Sequence, residues 1–180
     1  KMLIYATTGR KVPPGKLPSD VGVIVMNVNS VSFISEYIKT GMPLIKKRVT
    51  VDGSAVNTPS NLEVLIGTSL IDVFNFSGGF KSSPVKVLMG GPMMGIAQFS
   101  LETSVLKHTN ALLAFDEQEA ALPKSSSCIR CGRCVYACPM NLLPLYLNNN
   151  ANKENVEELK KYHVNDCIEC GSCSYVCPAK

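Results

Sequence analysis

All eight cysteines of this 180-residue chain fall within its last 53 positions. They form two sets: Cys128, Cys131, Cys134 and Cys138, then Cys167, Cys170, Cys173 and Cys177. Both sets read C-x2-C-x2-C-x3-C, both are closed by proline (Pro139 and Pro178), and every position of the first recurs 39 residues later. That is the ligand spacing of chains that hold two [4Fe–4S] cubanes, in which each run gives three thiolates to one cluster and its fourth to the other. The predicted sets are therefore Cys128, Cys131, Cys134 and Cys177 for cluster I, and Cys138, Cys167, Cys170 and Cys173 for cluster II. The chemistry such a site performs is one-electron transfer.

Two other uses of cysteine compete. Zinc takes C-x2-C pairs, four ligands to a site, and leaves the third cysteine, the x3-C-Pro ending and the duplication unexplained. Disulfides would join cysteines three residues apart and need an oxidising compartment. The cubane reading accounts for every cysteine. Gly132 and Gly171 follow the second cysteine of each run, where backbone passes close to inorganic sulfur and a Cβ would crowd it. Backbone N–H groups in such loops offset the cluster's negative charge. Pro139 and Pro178 lack an N–H and turn the chain away. Arg130 and Arg133 lie between ligands of the first run, where the second has Glu169 and Ser172. A nearby cation stabilises an added electron, so the first cluster is expected to be the higher-potential centre, unless these side chains are merely solvated. His163 and His108 are expected to be packed or surface histidines, because the cysteines already complete both ligand sets.

The elements around the runs are expected to be short. Asn141–Asn150 and Lys153–His163 read as helices, with Pro144 tolerated in the first turn and Val156, Leu159 and Tyr162 on one stripe. This insert is longer than a minimal ferredoxin needs and resembles the α-helical dicluster domains of multi-subunit enzymes. Upstream, residues 1–127 hold no cysteine. Val21–Met26 reads as a buried strand, followed by a helix capped at Ser30 or Ser32 and running to Lys39, stopped by Gly41 and Pro43. Residues 48–56 read as a hairpin turning at Asp52-Gly53. A strand at 62–66, a helix capped by Thr68 and running to about Phe76, and a strand at 84–89 follow. Hairpin, strand, helix and strand in this order predict a small β-grasp. Met93 and Met94, in the Gly90–Gly95 segment, are expected to be core residues rather than the cover of a cofactor.

Composition excludes several classes. With 46% hydrophobic and 18% charged residues the chain is globular, not disordered. No apolar run approaches the roughly 18 residues a membrane span needs. Residues 1–127 carry 12 Lys/Arg against 9 Asp/Glu, and the rest 6 against 5. Neither part has the dense basic face of a nucleic-acid binder, and Trp is absent, so no nucleic-acid partner is expected. No signal peptide is expected, and the chain reads as an internal piece. There is no G-x-G-x-x-G before a helix and no Gly-Lys-Ser/Thr after Gly90-Gly91-Pro92, so no complete dinucleotide or nucleotide site is expected, and no catalytic residues are assigned.

The stretches Leu3–Pro13, Asp20–Val28, Gly41–Leu44 and Met89–Gly95, with both cysteine runs and the Asp166–Gly171 segment, together resemble the C subunit of the Rnf electron-transport complexes across essentially all 180 residues. The resemblance implies an α+β chain: the tail of an α/β flavin- and NAD-binding domain over 1–46, a soluble-ligand-binding β-grasp domain over 47–100, a linker with a return strand over 101–126, and an α-helical dicluster ferredoxin-like domain over 127–180. It implies FMN and NAD(H) as cofactors of the full-length subunit, beside the two [4Fe–4S] clusters. Asn27, with Val28 beside it, is implied to lie near the FMN. It further implies a peripheral electron-transfer subunit on the cytoplasmic face of the bacterial membrane, in an ion-translocating ferredoxin:NAD oxidoreductase. Its partners would be the other subunits of the complex, membrane subunits among them, with ferredoxin reached indirectly. A related layout occurs in the cobalamin reductases of propanediol-utilisation microcompartments. A ligand-binding β-grasp module with structural clusters is a third reading.

Overall fold

The computed structural model describes residues 1–180, and its contacts fall into two units: Met26–Leu122, and Lys1–Val25 together with Pro123–Lys180. The discontinuous unit begins with helix α1 (Met2–Thr8), which the sequence pattern did not predict. Gly9, in the left-handed region at φ 70°, ends it and gives its N–H to the Tyr5 carbonyl. Residues 21–26 are not a strand. Pro18–Val21 is a 3-10 turn, Gly22 sits at φ 68°, and Ile24, Val25 and Met26 are exposed. An apolar run meets the composition of a strand, but a strand also needs a neighbour for its peptide groups. Here the Arg10 guanidinium takes the Val21 and Gly22 carbonyls at 2.8 and 3.3 Å.

The second unit opens with α2 (Val28–Thr40). Its N-cap is Asn27, not Ser30 or Ser32: Asn27 Oδ1 accepts the Asn29 N–H at 2.9 Å. Gly41 ends it as expected, at φ 67°. Then come β1 (Lys46–Asp52), β2 (Ser60–Leu65), α3 (Leu70–Phe76), β3 (Lys86–Met89), β4 (Ile96–Gln98) and β5 (Ala111–Phe115). The five strands make one sheet in the order β2-β1-β5-β3-β4. β1 and β5 are parallel and every other pair is antiparallel. A hairpin, a helix and a last strand that returns to the middle of the sheet make this a β-grasp.

The hairpin itself differs from the expectation. The chain does turn at Asp52-Gly53, but β1 pairs with β2 rather than with residues 54–56. The intervening backbone is used elsewhere: Ala55 N–H bonds the Ala114 carbonyl and Asn57 N–H the Gly79 carbonyl, both at 3.0 Å. Gly53, at φ 120°, passes so close to Ala114 that a Cβ would collide with its carbonyl. The Asp-Gly pair thus marks a close crossing to β5 and not a two-residue hairpin turn. The cap of α3 also shifts by one, to Ser69, whose Oγ accepts the Asp72 N–H.

The core follows two periodicities. Val49 and Val51 point inward from β1 at strand spacing, and Leu70, Val73 and Phe74 from α3 at helical spacing. They meet Val87, Met89, Leu112 and Ala114, and Phe74 lies 4.9 Å, centroid to centroid, from Phe80. Phe74 is fully buried, so Phe74→Ala is expected to cost about 3–5 kcal/mol of stability in the β-grasp unit. Urea unfolding followed by far-UV circular dichroism checks this. A loss under about 1 kcal/mol would place Phe74 outside the core. Met93 and Met94 are not core residues: they are 62% and 89% exposed. The turn that holds them closes on its own backbone, Gly95 N–H to the Gly91 carbonyl at 2.7 Å, which leaves the methionines at the tip.

After the short helix α4 (Glu117–Ala120), capped by Asp116, the chain leaves the sheet unit and reaches the cysteines. This region is built from short pieces: α5 (Arg133–Tyr136), α6 (Pro144–Ala151), α7 (Val156–Lys161) and α8 (Ser172–Tyr175). Pro144 stands at the first position of α6, as expected, where the missing N–H costs nothing. Tyr146 of α6 stacks on Tyr162, just past α7, at 5.4 Å and 12°. No helix of the chain is long and apolar enough to cross a membrane.

Candidate metal centre

The 39-residue repeat of the sequence is also a repeat of the backbone. Arg130 and Glu169, each two residues after the first cysteine of its run, lie in the left-handed region at φ 55° and 53°. Non-glycine residues rarely adopt it, so the same choice at matched positions marks a required loop shape. Gly132 and Gly171 follow at φ 76° and 70° and cap α5 and α8. Asn141 and Lys180, three residues past the fourth cysteines, match again at φ 56° and 53°.

The loop shape aims N–H groups at sulfur. Arg130 N–H points to Cys128 Sγ and Glu169 N–H to Cys167 Sγ, both at 3.4 Å. Leu142 N–H points to Cys138 Sγ at 3.3 Å. Such donors stabilise a thiolate over a thiol and offset the negative charge of a thiolate-bound cluster. Cys134 and Cys173 are the second residues of α5 and α8, which pack together. Exposure repeats as well: Cys128, Cys131, Cys167 and Cys170 are exposed, and Cys134, Cys138, Cys173 and Cys177 half-buried. All eight are free thiols.

The residues fit a thiolate-bound cluster: two open, matching loops supply the cysteines, with N–H donors turned to their own sulfurs. His163 starts the 3-10 turn Val164–Asp166 that leads to Cys167, and both it and His108 are exposed.

The ends of the two runs meet. Ser126 N–H donates to the Ala179 carbonyl at 2.8 Å, which ties the segment before Cys128 to the segment after Cys177. The buried residues beside the runs are Leu142, just past Cys138, and Ala179, just past Cys177. The thiols are not electrostatically alike. The Ser172 hydroxyl, 3.4 Å from Cys170 Sγ, holds that thiol below its ordinary range. Burial pushes Cys173 up. The sequence pattern did not single out Ser172 as a partner of sulfur; its place between Cys170 and Cys173 was the available signal. Asn27 lies in the other unit, engaged as the cap of α2.

Comparison with known proteins agrees with this division. A family model of the SLBB domain matches residues 48–97, within the β-grasp. A 4Fe-4S dicluster domain model matches residues 127–180, which contain both runs. A second 4Fe-4S dicluster model aligns over 97–143; its first part lies on β4 and β5 of the sheet, so the 127–180 match is the one that describes the site. The chain is 48% identical over 161 residues to the C subunit of the proton-translocating ferredoxin:NAD(+) oxidoreductase complex of Clostridium ljungdahlii, covering 89% of this chain and 35% of that protein. It is 46% identical over 145 residues to the C subunit of the Na(+)-translocating ferredoxin:NAD(+) oxidoreductase complex of Acetobacterium woodii, covering 81% and 33%. It is 40% identical over 148 residues to the C subunit of the ion-translocating oxidoreductase complex of Rhodobacter capsulatus, covering 82% and 28%. The chain thus spans about a third of the length of these relatives. Eight cysteines in a dicluster module make this a chain for two [4Fe–4S] clusters.

Proposed function

We propose, on the premise that this chain belongs to the family of C subunits of ion-translocating oxidoreductase complexes, that it is the electron-relay portion of such a subunit. The observation that carries the reading is the pair of matched cysteine loops with N–H donors on Cys128 and Cys167. When bound, each cubane takes up and releases one electron at a time. The chain's own part is to fix position and set the charge around each site.

The proposed ligand sets are Cys128, Cys131, Cys134 and Cys177 for the first cluster, and Cys138, Cys167, Cys170 and Cys173 for the second. The Ser126–Ala179 bond supports the crossing, because it brings the end of the second run beside the start of the first. FMN and NAD(H) would be held by parts of the longer subunit outside these residues, with Asn27 and Val28 near the flavin. The whole subunit would be peripheral, at the cytoplasmic face of a bacterial membrane, joined to other subunits that include membrane-spanning ones and reach ferredoxin. The complex would couple electron flow between ferredoxin and NAD(H) to ion transport. Relatives named for protons and for Na(+) match this chain about equally, so the choice of ion would rest on other residues of the complex.

The test is composition. After anaerobic reconstitution the chain is expected to hold about eight iron and eight sulfide, as two cubanes require. Stoichiometric zinc with iron near zero would defeat the reading.

A further inference from the structure

The two cysteine loops share a backbone and carry opposite charge. Arg130 and Glu169 have φ 55° and 53°, the same N–H to sulfur bond at 3.4 Å, and exposed side chains. One turn further on, Arg133 of the first loop stands where the second has Ser172, and Ser127 before the first run stands where the second has Asp166. At the three matched positions the first loop thus has two cations and no acid, and the second two acids and no cation. None of the four charges is cancelled by an ion pair: in this unit the pairs are Glu157–Lys160 and Glu158–Lys161, both on α7. Behind the fourth cysteines the difference has the same sense. Lys180 follows Cys177, which the crossed sets give to the first cluster, and neutral Asn141 follows Cys138, which they give to the second.

We infer that this asymmetry makes the relay polar, with a single electron resting on the Arg130/Arg133 cluster at least about tenfold more often than on the Asp166/Glu169 cluster; the inference rests on the two-cluster reading above. Tenfold is a separation of about 59 mV for a one-electron couple. The physical basis is direct. Adding an electron makes a cluster more negative, which nearby cations favour and nearby carboxylates oppose. Two contacts act the other way: the Ser172 hydroxyl near Cys170 and the Leu142 N–H on Cys138 Sγ both favour reduction of the second cluster. Each is a dipole, whose field falls off faster with distance than those of the unit charges around the runs. Because the charged side chains are at the surface, salt should weaken the effect.

The twin positions supply their own control. Arg and Glu are each already accommodated at this backbone conformation, so Arg130→Glu and Glu169→Arg place at each site a residue its counterpart holds. The anaerobically reconstituted chain is titrated with a chemical reductant and followed by EPR at low salt and at roughly 1 M salt, where the Debye length is about 3 Å. The expected result is two one-electron waves separated by at least about tenfold in wild type, drawing together in high salt. Arg130→Glu should lower only the upper wave and Glu169→Arg raise only the lower. The double variant should cut the population ratio several-fold, and Arg130→Lys should keep it. Two clusters that titrate as one wave, a separation the double variant leaves unmoved, or Arg130→Glu shifting the lower wave would each overturn the polarity while leaving two clusters standing. Iron and sulfide well short of about eight each in wild type would instead overturn the two-cluster reading, and the polarity with it.

Discussion

Cys138→Ala is expected to damage the cluster of the other run. Cys138 stands three residues, not two, beyond Cys134, and Pro139 follows it. Its sulfur accepts the Leu142 N–H, on the segment that leads away towards α6. If Cys138 completes the set of Cys167, Cys170 and Cys173, its loss leaves that cluster with three thiolates and prone to drop to a three-iron form. The cluster flanked by Arg130 and Arg133 keeps all four ligands, and its EPR signal persists. Cys177→Ala should do the reverse, and Cys128→Ala should match Cys177→Ala. Iron analysis and EPR on the three variants decide the matter. A result in which Cys138→Ala and Cys128→Ala damage one cluster, and Cys177→Ala the other, would mean that the ligands do not cross.

NADH oxidation is expected to be absent from residues 1–180 and to appear when the chain is extended to the full length of its relatives. The motive is chemical. Binding a dinucleotide takes a glycine-rich turn whose N–H groups meet the pyrophosphate at a helix N-terminus, and these residues contain no such motif. The Gly90–Gly95 turn is rich in glycine, but it leads into β4, an edge strand, and displays Met93 and Met94 at its tip. Assay with an artificial acceptor, clusters loaded in both proteins, gives the comparison. Rapid NADH oxidation by residues 1–180 alone would place the nucleotide site within them.

What could be read from the sequence was what neighbouring residues fix by themselves. Ligand spacing is of this kind: x2 and x3 intervals set the reach of each thiolate, and the glycines after Cys131 and Cys170 follow from the loop they must make. Core periodicity is too, as Val49 with Val51 and Leu70 with Val73 and Phe74 illustrate. Partner choice is not. Residues 21–26 have strand composition, but Arg10 occupies carbonyls that a neighbouring strand would need. Asp52-Gly53 is good turn chemistry, yet what lies beyond it is β5, some 60 residues away in sequence. The caps differ for a simpler reason: Thr68 and Ser69, or Asn27 and Ser30, are all competent acceptors, and the sequence alone does not rank them. At the cysteines, the repeat in the sequence returns as a repeat of the backbone, while the contact of Ser172 with Cys170 and the meeting of Ser126 with Ala179 needed three dimensions.

The interruption of one unit by the other along the chain has a consequence for synthesis. The β-grasp is continuous from Met26 to Leu122, so it can fold as soon as its last strand has left the ribosome. The other unit is discontinuous and is complete only once the residues that begin at Pro123 have followed. With crossed ligands the wait is longer still: the cubane begun at Cys128 is closed only by Cys177. Elongation at about 5–20 residues per second separates those two cysteines by several seconds. During that interval the first run presents four unpaired thiols, only three of which belong to its own cluster, and iron delivered early would meet the wrong ligand set. Cluster insertion is therefore expected to be a late event, following both the folding of the sheet and the emergence of the second run.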